Sequence, residues 1–235
     1  MIHDTTAEID AHELVRNYDQ DKVPVYAVNG VHLHIQRGEF VALRGPSGSG
    51  KTTVLNMIGG LDRPTSGKVL VNGLDIGTLS DSALIDFRLK NIGFVFQSYN
   101  LIPVFTAREN IEFTMLLQGR PQVERDARVA ELLREVGLED KADKRPGELS
   151  GGQQQRVAVA RALAPKPQFI LADEPTANLD SKSAGNLLDI MLRLNQEEHI
   201  TFIFSTHDPR VIERARRVIT LEDGKVVELA DRAGM

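Results

Sequence analysis

One stretch limits what this chain can fold into more than any other: Gly45-Pro46-Ser47-Gly48-Ser49-Gly50-Lys51-Thr52-Thr53. It satisfies G-x-x-x-x-G-K-[ST], the pattern of a phosphate-binding loop. Gly45, Gly48 and Gly50 let the backbone turn tightly, with no Cβ between chain and ligand. Successive N–H groups can then form an anion-binding nest, and a helix starting near Lys51 adds its positive dipole end. Lys51 supplies a point charge for phosphate oxygens, and the Thr52 hydroxyl can ligate Mg²⁺. Phe40-Val41-Ala42-Leu43 before the loop reads as a buried strand, and Thr53-Val54-Leu55-Asn56-Met57-Ile58 after it as a helix. Four fixed positions recur by chance in roughly one chain of this length in a hundred. With a strand before and a helix after, a plain Gly/Ser turn is the weaker reading. The loop points to a bound nucleotide.

The 235 residues suit one large domain or a core carrying an insertion, and 41% hydrophobic residues suffice for a buried core. A net charge of −5 leaves no basic footprint for nucleic acid. There is no cysteine, which excludes disulfides, thiolate zinc sites and thiol nucleophiles. Met1 to Glu8 is polar and acidic, without the basic start and apolar run of a secretory signal. No window approaches the roughly 18 apolar residues of a membrane span. The expectation is a chain soluble by itself; at a membrane, another polypeptide would do the spanning.

Residues 1–10 read as a loose tail, and residues 11–235 as a single domain. Glu13-Leu14-Val15-Arg16 is strand-like, followed by Tyr18 and a polar loop containing Pro24. Val31-His32-Leu33-His34-Ile35 alternates as a half-buried strand should. Its two histidines share the polar face, yet nothing nearby completes a metal's ligand set. Residues 98–148 turn helical. Thr106 and Glu109 make a capping box, and Val129, Leu132, Leu133 and Val136 form an i, i+3, i+4, i+7 stripe. The segment reads as a helical insert in an α/β core. Elsewhere strands alternate with helices, which argues for a mostly parallel sheet covered on both faces. Asp208-Pro209 is a helix start, and Asp223-Gly224 a hairpin turn.

Two further stations carry chemistry. The apolar strand Phe169 to Ala172 delivers Asp173 and Glu174 at its C-terminal edge, where ligands of open α/β sheets bind. Asp173 there can hold Mg²⁺, and Glu174 can orient or deprotonate an attacking water. Leu149-Ser150-Gly151-Gly152-Gln153 is open to two readings from physics alone. It is a capping box, and it is also bare backbone at a helix N-terminus, an anion site.

These five residues resemble the signature motif of the ATP-binding-cassette (ABC) ATPases, and the remaining motifs follow in that family's order. The resemblance spans roughly residues 11 to 229. It implies an α/β P-loop NTPase fold of the ABC nucleotide-binding type, with a mostly parallel sheet core, an antiparallel β part and a helical subdomain. It implies that Gln97 is the Q-loop glutamine, a Mg²⁺ ligand and sensor of a membrane partner. Phe169 to Glu174 becomes the Walker B strand with its catalytic glutamate, and Asn178-Leu179-Asp180 the D-loop. His207 becomes the switch histidine at the γ-phosphate. Tyr18 stands where an adenine-stacking aromatic is expected, with Tyr26 as the fallback.

The resemblance further implies two cassettes sandwiching two ATP molecules head to tail. Each γ-phosphate is then held between Lys51 of one copy and Ser150 of the other, with Gly151, Gly152, Gln153 and Asp180 among the nucleotide-binding residues. ATP and Mg²⁺ are the expected ligands. The expected partners are an integral membrane permease subunit and a second copy of this chain or a paralogous ATPase, with no nucleic acid. The expected location is peripheral, on the cytoplasmic side of the inner membrane. Ile92 to Gln97, Asn100 to Pro103 and Thr106 to Asn110 resemble the bacterial group around LolD, MacB and FtsE. That group releases lipoproteins, exports macrolides or peptides, or signals in cell division. A signalling ATPase that transports nothing, and a soluble non-transport ABC ATPase, share these motifs.

Overall fold

The computed structural model describes residues 7–20 and 23–231. In chain order the strands and α-helices are β1 (Ala7–Gln20), β2 (Val23–Gln36), β3 (Phe40–Arg44), α1 (Lys51–Ile58), β4 (Ser66–Val71), β5 (Leu74–Asp75), α2 (Asp81–Asn91), β6 (Ile92–Val95), α3 (Ala107–Leu117), α4 (Gln122–Glu135), α5 (Gly151–Leu163), β7 (Phe169–Asp173), α6 (Ser181–Glu198), β8 (Thr201–Thr206), α7 (Pro209–Arg214), β9 (Arg217–Glu222) and β10 (Lys225–Asp231). They divide into two compact units. One holds the described residues of Met1–Ile85 and Thr201–Met235, the other Asp86–Ile200.

The first unit is built on β3. Phe40, Val41, Ala42 and Leu43 are all fully buried, because β3 has a parallel neighbour on each side, β8 and β9. A strand covered this way needs a continuous apolar run rather than alternation. β9 turns through Asp223 and Gly224, both left-handed at φ 47° and 74°, into antiparallel β10, as the Asp-Gly pair predicts. A separate antiparallel sheet runs in the order β2-β1-β4-β5.

This sheet corrects two expectations. Residues 7–10 of the expected tail are strand, since β1 begins at Ala7; residues 1–6 lie outside the described residues. Ile9 is fully buried, and Asn72 N–H donates to the Glu8 carbonyl at 2.9 Å. The polar loop expected around Pro24 is instead strand, β2 starting at Val23. Polar composition misled there because a two-stranded edge ribbon has little to bury. On the same sheet His32 is exposed and pairs with Glu13, while His12 pairs with Asp10, each at 2.8 Å. Among the described residues no group of three His, Cys, Asp or Glu side chains is arranged to hold a metal.

In the second unit β6 and β7 pair in parallel, and α5 packs against β6, α3, α4 and α6. The unit is therefore larger than the helical insert expected at 98–148: α5 gives the helices and the two strands a common core. Thr106 caps α3 through the expected capping box, its Oγ1 accepting from Glu109 N–H at 3.2 Å. Val129, Leu132, Leu133 and Val136 are buried as their spacing predicts. Among the described residues no helix is long and apolar enough to cross a membrane.

Candidate nucleotide site

The phosphate loop lies in the first unit, between the end of β3 and α1. Its glycines are there for a spatial reason. A Cβ on Gly50, at φ 97°, would sit 2.2 Å from the Ala27 carbonyl oxygen; one on Gly45 would sit 2.1 Å from that of Leu221. The loop is thus pressed between β2 and β9, where no side chain fits. Gly50 also leaves α1 without a side-chain cap, and no acid occupies its first turn. Among the described residues the α-helices that follow a Ser, Thr or Asp cap, α2, α3, α5, α6 and α7, each have a cap bond made. An uncapped helix start with its positive dipole end is an anion site.

A cavity of about 260 Å³ opens at this point, lined by Ala27 and residues 48–53. Lys51 is nearly buried, at 7% exposure, and its Nζ donates to the Gly45 and Pro46 carbonyls, each at 2.8 Å. These carbonyls hold the ammonium inside the loop. Ser49 is buried, Pro46, Ser47 and Thr52 are exposed, and Thr53 is half-buried. His207 follows β8 in the same unit and is exposed.

The two tyrosines lie on β1 and β2. The register pairs Tyr18 with Val25 and Asn17 with Tyr26, so the rings project from opposite faces. Tyr18 is held: its hydroxyl donates to Asp62 at 2.6 Å, and the Arg16 guanidinium stacks 4.5 Å from its ring centre. Arg16 also pairs with Asp62 at 2.9 Å. Among the described residues no bond or ring contact orients Tyr26, which is 52% exposed.

The second unit carries the other motifs. β7 ends in Asp173, and Glu174 follows in the left-handed region at φ 44°. Both side chains are half-buried. A non-glycine residue held there is strained, and such strain gathers at functional sites. Within this unit Gln97 offers a neutral oxygen and Asp173 a carboxylate, hard-oxygen donors of the kind Mg²⁺ takes.

Ser150 caps α5, its Oγ accepting from Gln153 N–H at 3.3 Å while Gln153 Oε1 accepts from Ser150 N–H at 2.9 Å. Asp180 caps α6 by accepting from the Lys182 and Ser183 amides, each at 3.0 Å. The Ser183 hydroxyl, then its amide, holds the Asp180 carboxyl below the usual carboxylate range. Gln97 is exposed, and its carbonyl accepts from Asn178 Nδ2 at 3.0 Å. Asp173, Glu174, Gln97, Asp180 and Ser150 to Gln153 thus share one unit, and Lys51, Thr52, Tyr18 and His207 the other. Sequence reasoning missed Ala27, which abuts the loop, and Tyr99 and Arg161, described below. No local pattern marks any of the three.

Strand, backbone-lined loop and uncapped helix define the class: a phosphate-loop nucleotide triphosphatase. The family model for the ABC transporter matches residues 28–177, and the chain belongs to that family, with the family's ATPase activity. The lipoprotein-releasing system ATP-binding protein LolD 1 of Rhodopseudomonas palustris is 52% identical over 205 residues, covering 87% of this chain and 91% of that protein. The macrolide export ATP-binding/permease protein MacB of Marinobacter nauticus is 46% identical over 220 residues, 94% of this chain and 34% of MacB. The dimeric post-hydrolysis structure of the ATP-binding cassette MJ0796, bound to ADP and Pi, superposes with a TM-score of 0.90. It is 42% identical, over 97% of this chain and 100% of that one.

Proposed function

We propose that this chain is the ATP-hydrolysing subunit of a bacterial ABC system of the lipoprotein-release or efflux type. It works peripherally, on the cytoplasmic side of a membrane, against a separate permease subunit. One observation carries the reading: a backbone-lined cavity at an uncapped helix start, with Lys51 held inside the loop. Such a cavity suits the phosphate chain of ATP.

Gly45 to Thr53 cradle the phosphates, and Lys51 neutralises the β- and γ-oxygens. Tyr18 stacks on the adenine, its ring already fixed by Arg16 and Asp62. Thr52, Gln97 and Asp173 would hold Mg²⁺, which would supply positive charge beside the phosphate oxygens. Glu174 takes a proton from the attacking water, and His207 contacts the γ-phosphate. Ser150, Gly151, Gly152, Gln153 and Asp180 act on the nucleotide of a second copy. ATP then closes the pair and its hydrolysis reopens it, a differential contact biasing a two-state element.

The test is gentle solubilisation of membranes holding the tagged chain. A stoichiometric transmembrane partner with a large extracytoplasmic domain is expected. Recovery of soluble partners alone refutes the membrane assignment. Equal ATP affinity in Tyr18→Ala and the parent, with loss in Tyr26→Ala, would reassign the adenine contact.

A further inference from the structure

Both signature glycines sit close against a side chain, and in each case that side chain belongs to the same unit. Neither Gly151 nor Gly152 has a positive φ, so the backbone alone would accept alanine at the start of α5. Yet a Cβ on Gly151 would lie 2.8 Å from the Tyr99 hydroxyl oxygen, closer than real Cβ atoms come to anything. A Cβ on Gly152 would lie 3.0 Å from Ser183 Oγ. Tyr99 comes two residues after Gln97, and Ser183 three after Asp180. The N-terminus of α5 is therefore flanked by the segments that carry Gln97 and Asp180.

The contact with Tyr99 depends on an unusual backbone. Tyr99 and Asn100 are consecutive non-glycine residues in the left-handed region, at φ 60° and 49°. Such a pair persists only where its surroundings over-determine it. Arg161, from the far end of α5, supplies the restraint. Its guanidinium donates to the Asn100 carbonyl and, at 2.9 Å, to that of Tyr99. Among the described residues no carboxylate pairs with Arg161, and burial alone lowers its pKa. The guanidinium is thus committed to two backbone carbonyls. On the other side, Asn178 holds the Gln97 carbonyl at 3.0 Å.

We propose that Tyr99 and Arg161 are positioning residues that lock the segment after Gln97 to the helix bearing Ser150–Gly152, so that the two stations move as one piece. This rests on the roles given above to Gln97 and the signature residues. A displacement of the Gln97 loop by the membrane partner pushes the Tyr99 phenol against Gly151. The coupling is steric and lies within one subunit.

A double-mutant cycle on the full-length protein tests this by steady-state ATPase rates. Gly151→Ala overpacks the contact and is expected to lower kcat about tenfold. Tyr99→Phe removes the one atom within 3 Å, leaving Tyr99 Cζ at an ordinary 3.7 Å. The double variant is therefore expected to turn over at least about fivefold faster than Gly151→Ala alone, a non-additive recovery. Independent effects of the two changes, or an active Gly151→Ala, overturn the proposal. Arg161→Ala is expected to lower kcat while leaving the Kd of the isolated subunit for ATP within about twofold, and Arg161→Lys to restore part of the rate, since an ammonium can still donate to one carbonyl. A parallel loss of ATP affinity and thermal stability in Arg161→Ala, without rescue by Lys, also overturns it. If Glu174→Gln abolishes turnover while the cycle is additive, only the coupling fails and the proposed function stands.

Discussion

Glu174 allows the chemistry and the backbone strain of the site to be measured separately. It follows β7 at φ 44°, a conformation that costs an L-residue with a Cβ about 1–2 kcal/mol and costs glycine almost nothing. Replacement by Gln keeps the Cβ, the length and the left-handed backbone, and removes only the basic carboxylate. Turnover is then expected to fall by about a hundredfold or more, the contribution of a positioned general base, with little change in melting temperature. Replacement by Ala and by Gly removes the carboxylate equally, so the difference between the two reports the strain. Glu174→Gly is expected to exceed Glu174→Ala by about 1 kcal/mol, or roughly 2–4 °C for a chain of this size. The assays are phosphate release at saturating ATP and thermal unfolding without nucleotide. Near-normal turnover in Glu174→Gln would refute the base assignment. An alanine variant as stable as the glycine variant would refute the strain.

Other consequences can be checked in the same assays. Lys51→Met removes the ammonium that the Gly45 and Pro46 carbonyls hold; hydrolysis should fall about a hundredfold or more, and full activity would remove Lys51 from the mechanism. Glu8 is buried beside Thr201, whose hydroxyl donates to it, and burial raises its pKa above the ordinary value. A raised folded pKa means stability present below the unfolded value and lost as pH rises through the folded one. Glu8→Gln, which still accepts from Thr201, should therefore raise the melting temperature more at pH 8 than at pH 5; an equal gain at both would contradict this. Arg128 is buried at 6% exposure and bonds Glu198 at 3.1 Å and the Leu163 carbonyl at 3.1 Å, tying α4 to α5 and α6. Arg128→Ala should lower stability by about 1–3 kcal/mol in urea unfolding, and a change within error would show the ties to be idle.

Much of the candidate site's local geometry was legible, because it is set by neighbours in the chain. Gly45 to Thr53, Ser150 to Gln153 and Asp180 take backbone arrangements that a few adjacent residues dictate, and the caps predicted at Thr106, Ser150 and Asp208 formed as spelled. Strands buried on both faces, such as β3 and β7, were equally plain, since an unbroken apolar run has few other places to go. The ribbon of β1 and β2 was not. Its residues 16–30 lack the periodicity that a buried face imposes, and only strand pairing makes them regular.

By itself, then, the sequence determined the class of chemistry, the order of the motifs and the phosphate loop, because those follow from residues in direct succession. Only the tertiary structure decided why particular glycines are glycines. Gly50 is one because Ala27 presses on it, and Gly151 because of the phenol of Tyr99. It also decided that Arg161 serves the loop after Gln97. These are contacts between segments distant in the chain, and close packing sets them in three dimensions.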